Sequence, residues 1–546
     1  DAQRRRWHRR TARAASHWYA SRMDDLSAFV ARHFDLGGEP EEAAEHYLRA
    51  ARAAAGVFAN DESLAFAARG LELAGGGGVL RFDLLALREE VCERVGDRAT
   101  QRIVLDELTA LAAALGERGC MLEACRRRES LHRYFGEYPQ ARTAVEELKR
   151  LAAGDPFWEA VALRDDAVLL VDAGSREQAY DIVACATARA AEAADSRVLV
   201  STLTLQAHVA ATLGRSEEAR ACLARASETA DRDGSPLLRM RVAYTEMTVY
   251  TLAQEYGKVV RAAPGLFELA ERVSDREVAA GAHAMVGGAF VHFFRVAEAR
   301  RHLKQAIELY RDTDLNGAAV AYNNLATLEL DVGRLDRVDA ALAAMDELVG
   351  QSDAASQREC LDLLRCDAAL RRFQYDAALE GARALAAHAA ARQDALLEGE
   401  AWRCAGVALV ALCRAAEAIE AFERAHAQLL RIGAADSASR VSAAFAHACA
   451  LGGDLRAAAL ASDALQRLEA CPTAIPPSAF WTVAQAFAAI GRTQEYRAAL
   501  RRAHEQFVTQ DKMLRADADR AAFAAISGNV QLLRAFAGDS KSQLAQ

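Results

Sequence analysis

A short apolar pattern returns about every forty residues along this chain, and no other feature limits the possible folds as much. A small residue is followed four positions on by a larger apolar one, and three beyond that by a third. Ala141-Val145-Leu148, Ala179-Val183-Ala186, Ala219-Leu223-Ala226, Ala299-Leu303-Ala306, Ala378-Ala382-Leu385 and Ala418-Phe422-Ala425 all fit. The first members stand at 101, 141, 179, 219, 259, 299, 338, 378, 418, 458 and 496. Spacings of four and three place such residues on one face of a helix. A period of this length marks stacked supersecondary units, none of which buries its apolar face without a neighbour. A chain of this kind is expected to bind and assemble partners.

Each unit reads as two helices joined by a tight turn. Trp402 and Gly406 share a face of one helix, and Ala418, Phe422 and Ala425 form a stripe on the next. Five positions before the stripe a glycine often stands, as at Gly136, Gly174, Gly214, Gly333, Gly453 and Gly491. A residue there closes the first helix through positive φ, which glycine adopts without strain. Small residues at Gly406 and Ala418 let the two helices approach closely. A turn every second helix excludes the sustained heptads of a coiled coil. With only 8 Pro in 546 residues, helix is favoured nearly throughout.

At these positions the repeat resembles the tetratricopeptide family, whose signature places an aromatic, Gly, Ala, an aromatic and Ala in this order. Tyr322, Leu325 and Ala326 with Leu342 and Met345 match again, with Val338 where the family prefers Ala. His283, Gly287, Ala299, Leu303 and Ala306 give a third match. The resemblance covers most of residues 80 to 510 and implies an all-α, right-handed superhelical solenoid of helix-turn-helix units. The common repeat has about 34 residues, so the surplus is expected in longer helices.

The ends carry a second resemblance. His33-Phe34 and the run Gly38 to Ala51 are similar to the first repeat after the ATPase of bacterial STAND-class signalling proteins. These are the MalT-like and LuxR-type regulators and the adenylate or guanylate cyclases with an ATPase and a tetratricopeptide tail. The run Arg4, Arg5, Arg6, Trp7, His8, Arg9, Arg10 resembles their junction helix, and Arg520-Ala521-Ala522-Phe523 with Asn529 and Leu532-Leu533 resembles their closing helix. The resemblance implies a sensor tail whose covalently linked ATPase lies elsewhere in a parent protein. An opening at Asp1 is expected of such a piece. The expected divisions are 1–74 (junction and first units), 75–79 (connector Gly75 to Gly78), 80–470 (regular array) and 471–546. The last is a cap after a break at Pro472, Pro476 and Pro477.

Catalysis finds no motif. Gly257-Lys258 lacks the rest of a phosphate loop, and His504-Glu505 is not followed by a second His at the next turn. Asp24-Asp25 and Asp165-Asp166 are adjacent, point apart on a helix, and read as solvated or capping groups. The eleven Cys show no C-x-x-C and read as reduced apolar fillers, hence a cytoplasmic chain with no cofactor. No apolar run of membrane-spanning length and no signal peptide is present. A net charge of −9 gives no general attraction to nucleic acid.

Binding is therefore the expected function, and the concave face lined by the first helices is the expected place. Counting from the repeat, that face should carry Arg126, Arg164, His208, Tyr244, Thr248, Asn323, Thr327, Asp367, Arg403, His447, Trp481 and Gln485. Asn323 and Asn324 could grip a peptide backbone, since an amide both donates and accepts. In peptide-binding members of the family an Asn on this helix has that role. The expected occupant is a protein or peptide partner or a small-molecule inducer. Arg4, Arg5, Arg6, Trp7, Arg9 and Arg10 are expected to dock on the linked ATPase domain rather than on nucleic acid. A stand-alone adaptor bridging two proteins is the alternative reading.

Overall fold

Residues 2–311, 314–350, 355–392, 394–471 and 473–544 are described by a computed structural model. They form 28 α-helices and one short 3₁₀ turn, with no strand among the described residues. No helix among the described residues is long and apolar enough to cross a membrane. The chain divides into two compact units, Asp1–Ala282 and His283–Gln546.

Within each unit, helices pair into antiparallel hairpins, and each hairpin lies against the next. Burial shows why. One core in the first unit joins Val200, Leu203 and Ala207 to Ala219, Leu223 and Ala226, and then to Leu238 and Val242 of the following hairpin. Three successive helices, Ser196–Thr212, Ser216–Asp233 and Pro236–Leu252, thus share one apolar interior. In the second unit Val338, Ala341 and Met345 make the same arrangement with Leu361 and Leu364. The surplus over the common repeat lies in the helices, most of which run 17 or 18 residues.

The small positions of the repeat are contact points. A Cβ on Gly406 would stand 2.6 Å from the Phe422 ring, and one on Gly287 would stand 2.7 Å from Leu303. Phe422, Ala418 and Ala425 are fully buried. The turn positions are equally regular. Gly136, Gly174, Gly214, Gly333, Gly453 and Gly491 all have positive φ, and so does Gly96. Where the hairpin has no glycine, Gln254, Phe294, Phe373 and Cys413 occupy the same left-handed region, with φ of 58, 54, 62 and 57°. The hairpin geometry is imposed by packing strongly enough to hold L residues there, against a cost of about 1–2 kcal/mol each.

The Gly75 to Gly78 run turns the chain without interrupting the core, because Ala44, Leu48 and Ala67 before it pack with Leu84, Leu87 and Val91 after it. Near the end, Pro477 opens the helix Pro477–Ala489 at its first position, where a missing N–H costs nothing. Pro472 lies outside the described residues.

Both units also contain contacts that nearest-neighbour stacking does not require. In the first, Arg98 donates to Glu277, 179 residues away, at 3.2 Å while its guanidinium lies over the Tyr134 ring. In the second, the C-terminal helices return to the inner side of the helices that begin the unit. Asp519, 3% exposed, accepts from Arg300 at 3.2 Å and from Arg334 at 3.1 Å. Arg300 also reaches the buried Glu329 at 2.6 Å. Phe523 lies between Phe294 and Phe507, with ring centroids 5.4 and 5.3 Å away. The Ala474 N–H donates to the His292 carbonyl at 2.8 Å. Asn529 donates to the Phe523 carbonyl at 2.8 Å, which ties the last two helices together.

Cys413→Gly should raise stability by about 1 kcal/mol, since it relieves a left-handed L residue at an exposed turn; a denaturant midpoint that falls instead would contradict a strained turn. Asp519→Ala leaves Arg300 and Arg334 facing a buried site and should cost about 3 kcal/mol locally. Hydrogen exchange over 517–525 checks it. Burial alone would raise the Asp519 pKa, but Arg300 and Arg334 hold it below the ordinary value. The contribution is therefore present above about pH 4 and disappears as acid protonates the carboxylate.

Candidate binding groove

Helices Arg118–Tyr134, Pro156–Asp172, Ser196–Thr212 and Pro236–Leu252 are the first helices of four consecutive hairpins in the first unit. Their inward residues recur at helical spacing: Arg126, Glu129 and Arg133 on the first, Arg164 and Val168 on the second, Ser201, Thr204 and His208 on the third, Tyr244 and Thr248 on the fourth. Together they line one cleft of about 480 Å³. Arg126, Arg164, His208, Tyr244 and Thr248, expected on the concave face from the repeat alone, all meet in it. Such a volume falls in the range of pockets that hold small ligands or short peptide segments.

The floor is ionic. Glu123 receives Arg126 at 3.1 Å and Arg127 at 2.7 Å, and these two cations hold its carboxyl at about 2 in spite of burial. Arg127 continues to Glu89, which accepts from Gln101 at 2.6 Å. Arg164 donates to Asp165 Oδ1 at 2.8 Å and to Ser201 at 3.0 Å. Two buried oxygens in the cleft make no hydrogen bond: Glu129 Oε1, which lies 3.4 Å from Arg133 Nε, and Asp165 Oδ2, in side chains that are 3% and 2% exposed. An unpaired buried acceptor costs about 1–3 kcal/mol, so Asp165 Oδ2, which has no such neighbour, is a place for a donor. Burial, then the charge of Asp165, pushes the Glu129 pKa well above the usual carboxylate range. Burial, then Arg176, lowers that of His208, so its imidazole is neutral.

Glu129 and Asp165 were not legible as groove residues. Asp165, expected to be solvated beside Asp166, is instead enclosed, and Asp166 alone reaches outward to Lys149 at 2.7 Å. Adjacency put the two on different faces, and the groove took one of them. The usable signal was register, because Glu129 lies three residues from Arg126 and Asp165 is next to Arg164. Gly281 was missed as well. A Cβ there would fall 2.6 Å from the Tyr244 hydroxyl, so the bare backbone makes room for that ring.

The remaining expected residues lie in the second unit and do not gather in one cleft. Asp367 and Arg403 pair with each other at 2.9 Å, and Arg403 also reaches Glu400 at 2.6 Å. The Thr327 hydroxyl bonds the Asn323 carbonyl at 3.0 Å, and the Asn324 amide lies over Gly288, where a Cβ would approach it to 3.4 Å. Trp481 is buried and donates to Gln531 at 3.5 Å, within the C-terminal cap; Gln485, one turn on, is half-buried. His447 is half-buried, and burial lowers its pKa. Near Asp331 and Arg371 the inner face is covered by Ala474, Pro476, Pro477 and Phe523, leaving only about 20 Å³. The cap thus covers this part of the second unit's inner face, while about 720 Å³ stays open between the helices Ala355–Arg371 and Tyr375–Ala391.

At the N-terminus, Arg4, Arg5, Arg6, Trp7 and Arg10 are exposed on the helix Ala2–Trp18. Arg10 lies over the Trp7 ring at 5.0 Å. Arg9 differs from its neighbours, because it pairs with Glu39 at 3.2 Å and crosses closely over Gly37.

No protein-family model matches the chain, and no curated protein matches it in sequence. Among solved structures it is similar to a Rap protein complexed with competence and sporulation factor, at 11% identity and a TM-score of 0.43 over 63% of this chain and 98% of that one. The apo form of RapI gives 12% and 0.38 over 61% and 98%. The Cut9-Hcn1 hetero-tetramer of the APC/C gives 14% and 0.48 over 92% and 96%. At such identities and scores these likenesses carry no weight in assigning a function.

Glu129→Gln should stabilise the chain, and more so at high pH. With its pKa raised by folding, Glu129 keeps a proton that the unfolded chain gives up, so stability falls as pH rises from about 4.5 towards the folded value. The amide cannot ionise. Melting points at pH 5 and pH 8 should show an advantage of about 2 kcal/mol for the variant at pH 8 and little at pH 5.

Proposed function

We propose that the chain is a non-catalytic binding scaffold whose ligand, a peptide segment or a small molecule, enters the cleft of the first unit. One observation carries this: side chains from four successive hairpins converge there around Asp165 Oδ2, a buried acceptor oxygen with no hydrogen-bond partner among the described residues. A folded chain seldom leaves such an atom unpaired, and a ligand with an N–H group would satisfy it. Tyr244, His208 and Ser201 add a ring, a neutral imidazole and a hydroxyl along the same path. This mixture of donors and acceptors along one wall suits recognition.

In the wider reading the scaffold is the sensor tail of a STAND-class regulator. The support is the junction-like run with Arg4, Arg5, Arg6 and Trp7 exposed on the first helix. The tail would bias the linked ATPase only to the extent that the ligand binds its two arrangements unequally. The test of parentage is in cis: in a parent protein with a nucleotide-binding domain, cleft variants must alter ATP binding or oligomerisation, and indifference would argue for an adaptor.

The cleft itself is tested by Gly281→Val, whose side chain displaces the Tyr244 ring. Compounds and peptides that raise the melting point of the wild-type chain in a thermal-shift screen should lose that effect in Gly281→Val and Tyr244→Ala, with unchanged helicity by circular dichroism. Ligands that bind both variants as tightly as the parent would place the site elsewhere.

A further inference from the structure

The cleft has a charge balance that points to the chemistry of its ligand. Arg126 and Arg164 each have a carboxylate partner, Glu123 and Asp165. A third guanidinium belongs to the same place. Arg241 stands three, four and seven residues before Tyr244, Thr245 and Thr248, all of which line the cleft, so it shares their helix face. Its side chain reaches solvent, yet the surrounding protein crowds it: desolvation first, then the like charge of Arg164 and, more weakly, that of Arg126, lower its pKa. The opposing charges, Glu93 and Asp275, lie beyond ion-pair reach: no carboxylate stands within 4 Å of it among the described residues.

Arg126 and Arg164 line the cleft, and Arg241 shares a helix face with its lining residues Tyr244 and Thr248, so guanidiniums from three hairpins lie on this side; Arg241 has no ion-pair partner among the described residues. Mutual repulsion of such groups in a partly desolvated cleft is unfavourable, and an anion placed among them relieves it. At the other end, burial, then the charge of Asp165, raises the Glu129 pKa and so weakens the negative charge there, and Arg133 stands 3.4 Å from its Oε1. We infer that the ligand presents an oxyanion, a carboxylate or a phosphate, to Arg241, Arg164 and Arg126; this rests on the cleft being the binding site. Guanidinium groups suit that chemistry because they donate two parallel hydrogen bonds to a pair of oxygens. The net charge of −9 makes the chain as a whole repel anions, so the attraction is confined to this wall.

Titration calorimetry of the full chain at constant ionic strength tests it with four probes: inorganic phosphate, succinate, decaglutamate and decalysine. At least one anionic probe should bind saturably, and Arg241→Gln should weaken it tenfold or more. Arg241→Lys should fall between, and Arg220→Gln, on an exposed helix outside the cleft, should have no effect. Binding of phosphate or succinate points to a small-molecule source, and binding of decaglutamate alone points to an acidic peptide. Unliganded Arg241→Gln should melt no lower than the parent, because it loses no ion pair; a purely structural arginine would show a lower melting point. The inference fails if no anion binds, if Arg241→Gln binds as well as the parent, or if decalysine is preferred. A screened ligand lost in Gly281→Val but indifferent to Arg241→Gln would remove the oxyanion and leave the cleft standing.

Discussion

The structure depends on a reciprocal contact between something small and something large. Gly406 receives the Phe422 ring, Gly287 receives Leu303, and Gly399 receives Leu429 at 2.8 Å from where a Cβ would stand. Each is a gap on a first helix filled by the second helix of the same hairpin. Interiors pack at the density of crystals, so a gap and its filler must match within a methylene or so. Once hairpins close in this way, the remaining apolar faces have only the adjacent hairpin to meet, and stacking follows.

Stacking in turn explains where function can sit. First helices in a row bring side chains forty residues apart in sequence onto one wall, and a residue joins that wall through its phase within the repeat. In the first unit the wall stayed open and polar. In the second, the C-terminal helices came back to cover part of it, with Asp519 satisfied by Arg300 and Arg334 and Phe523 set against Phe294. The two units share a repeat, and in the second the chain itself covers part of the inner face.

Much of the fold was legible because its causes are local. The stripes from Ala141 to Ala425 are buried, and the turn glycines have the backbone geometry their position demands. Register also placed Arg126, Arg164, His208, Tyr244 and Thr248 on one surface. It could not say that Asp367 would be neutralised by Arg403, or that Trp481 would be absorbed by the cap. Nor could it find Asp519 or Glu277, whose partners lie 219 and 179 residues away. Such pairings leave no periodic trace. Arg241 escaped for a different reason: an arginine on an exposed phase looks solvated until its like-charged neighbours are known.

Those distant pairings have a consequence for how the molecule comes apart. An array held only by adjacent hairpins frays from its tips, each repeat melting on its own terms. Arg98 with Glu277, and Asp519 with the arginines it joins, fasten early hairpins to late ones. Fraying past Arg98 in the first unit, or from the C-terminal end of the second, then requires a clasp to open first. Assembly is slowed by the same feature, since the clasps form only after long stretches of chain have been ordered.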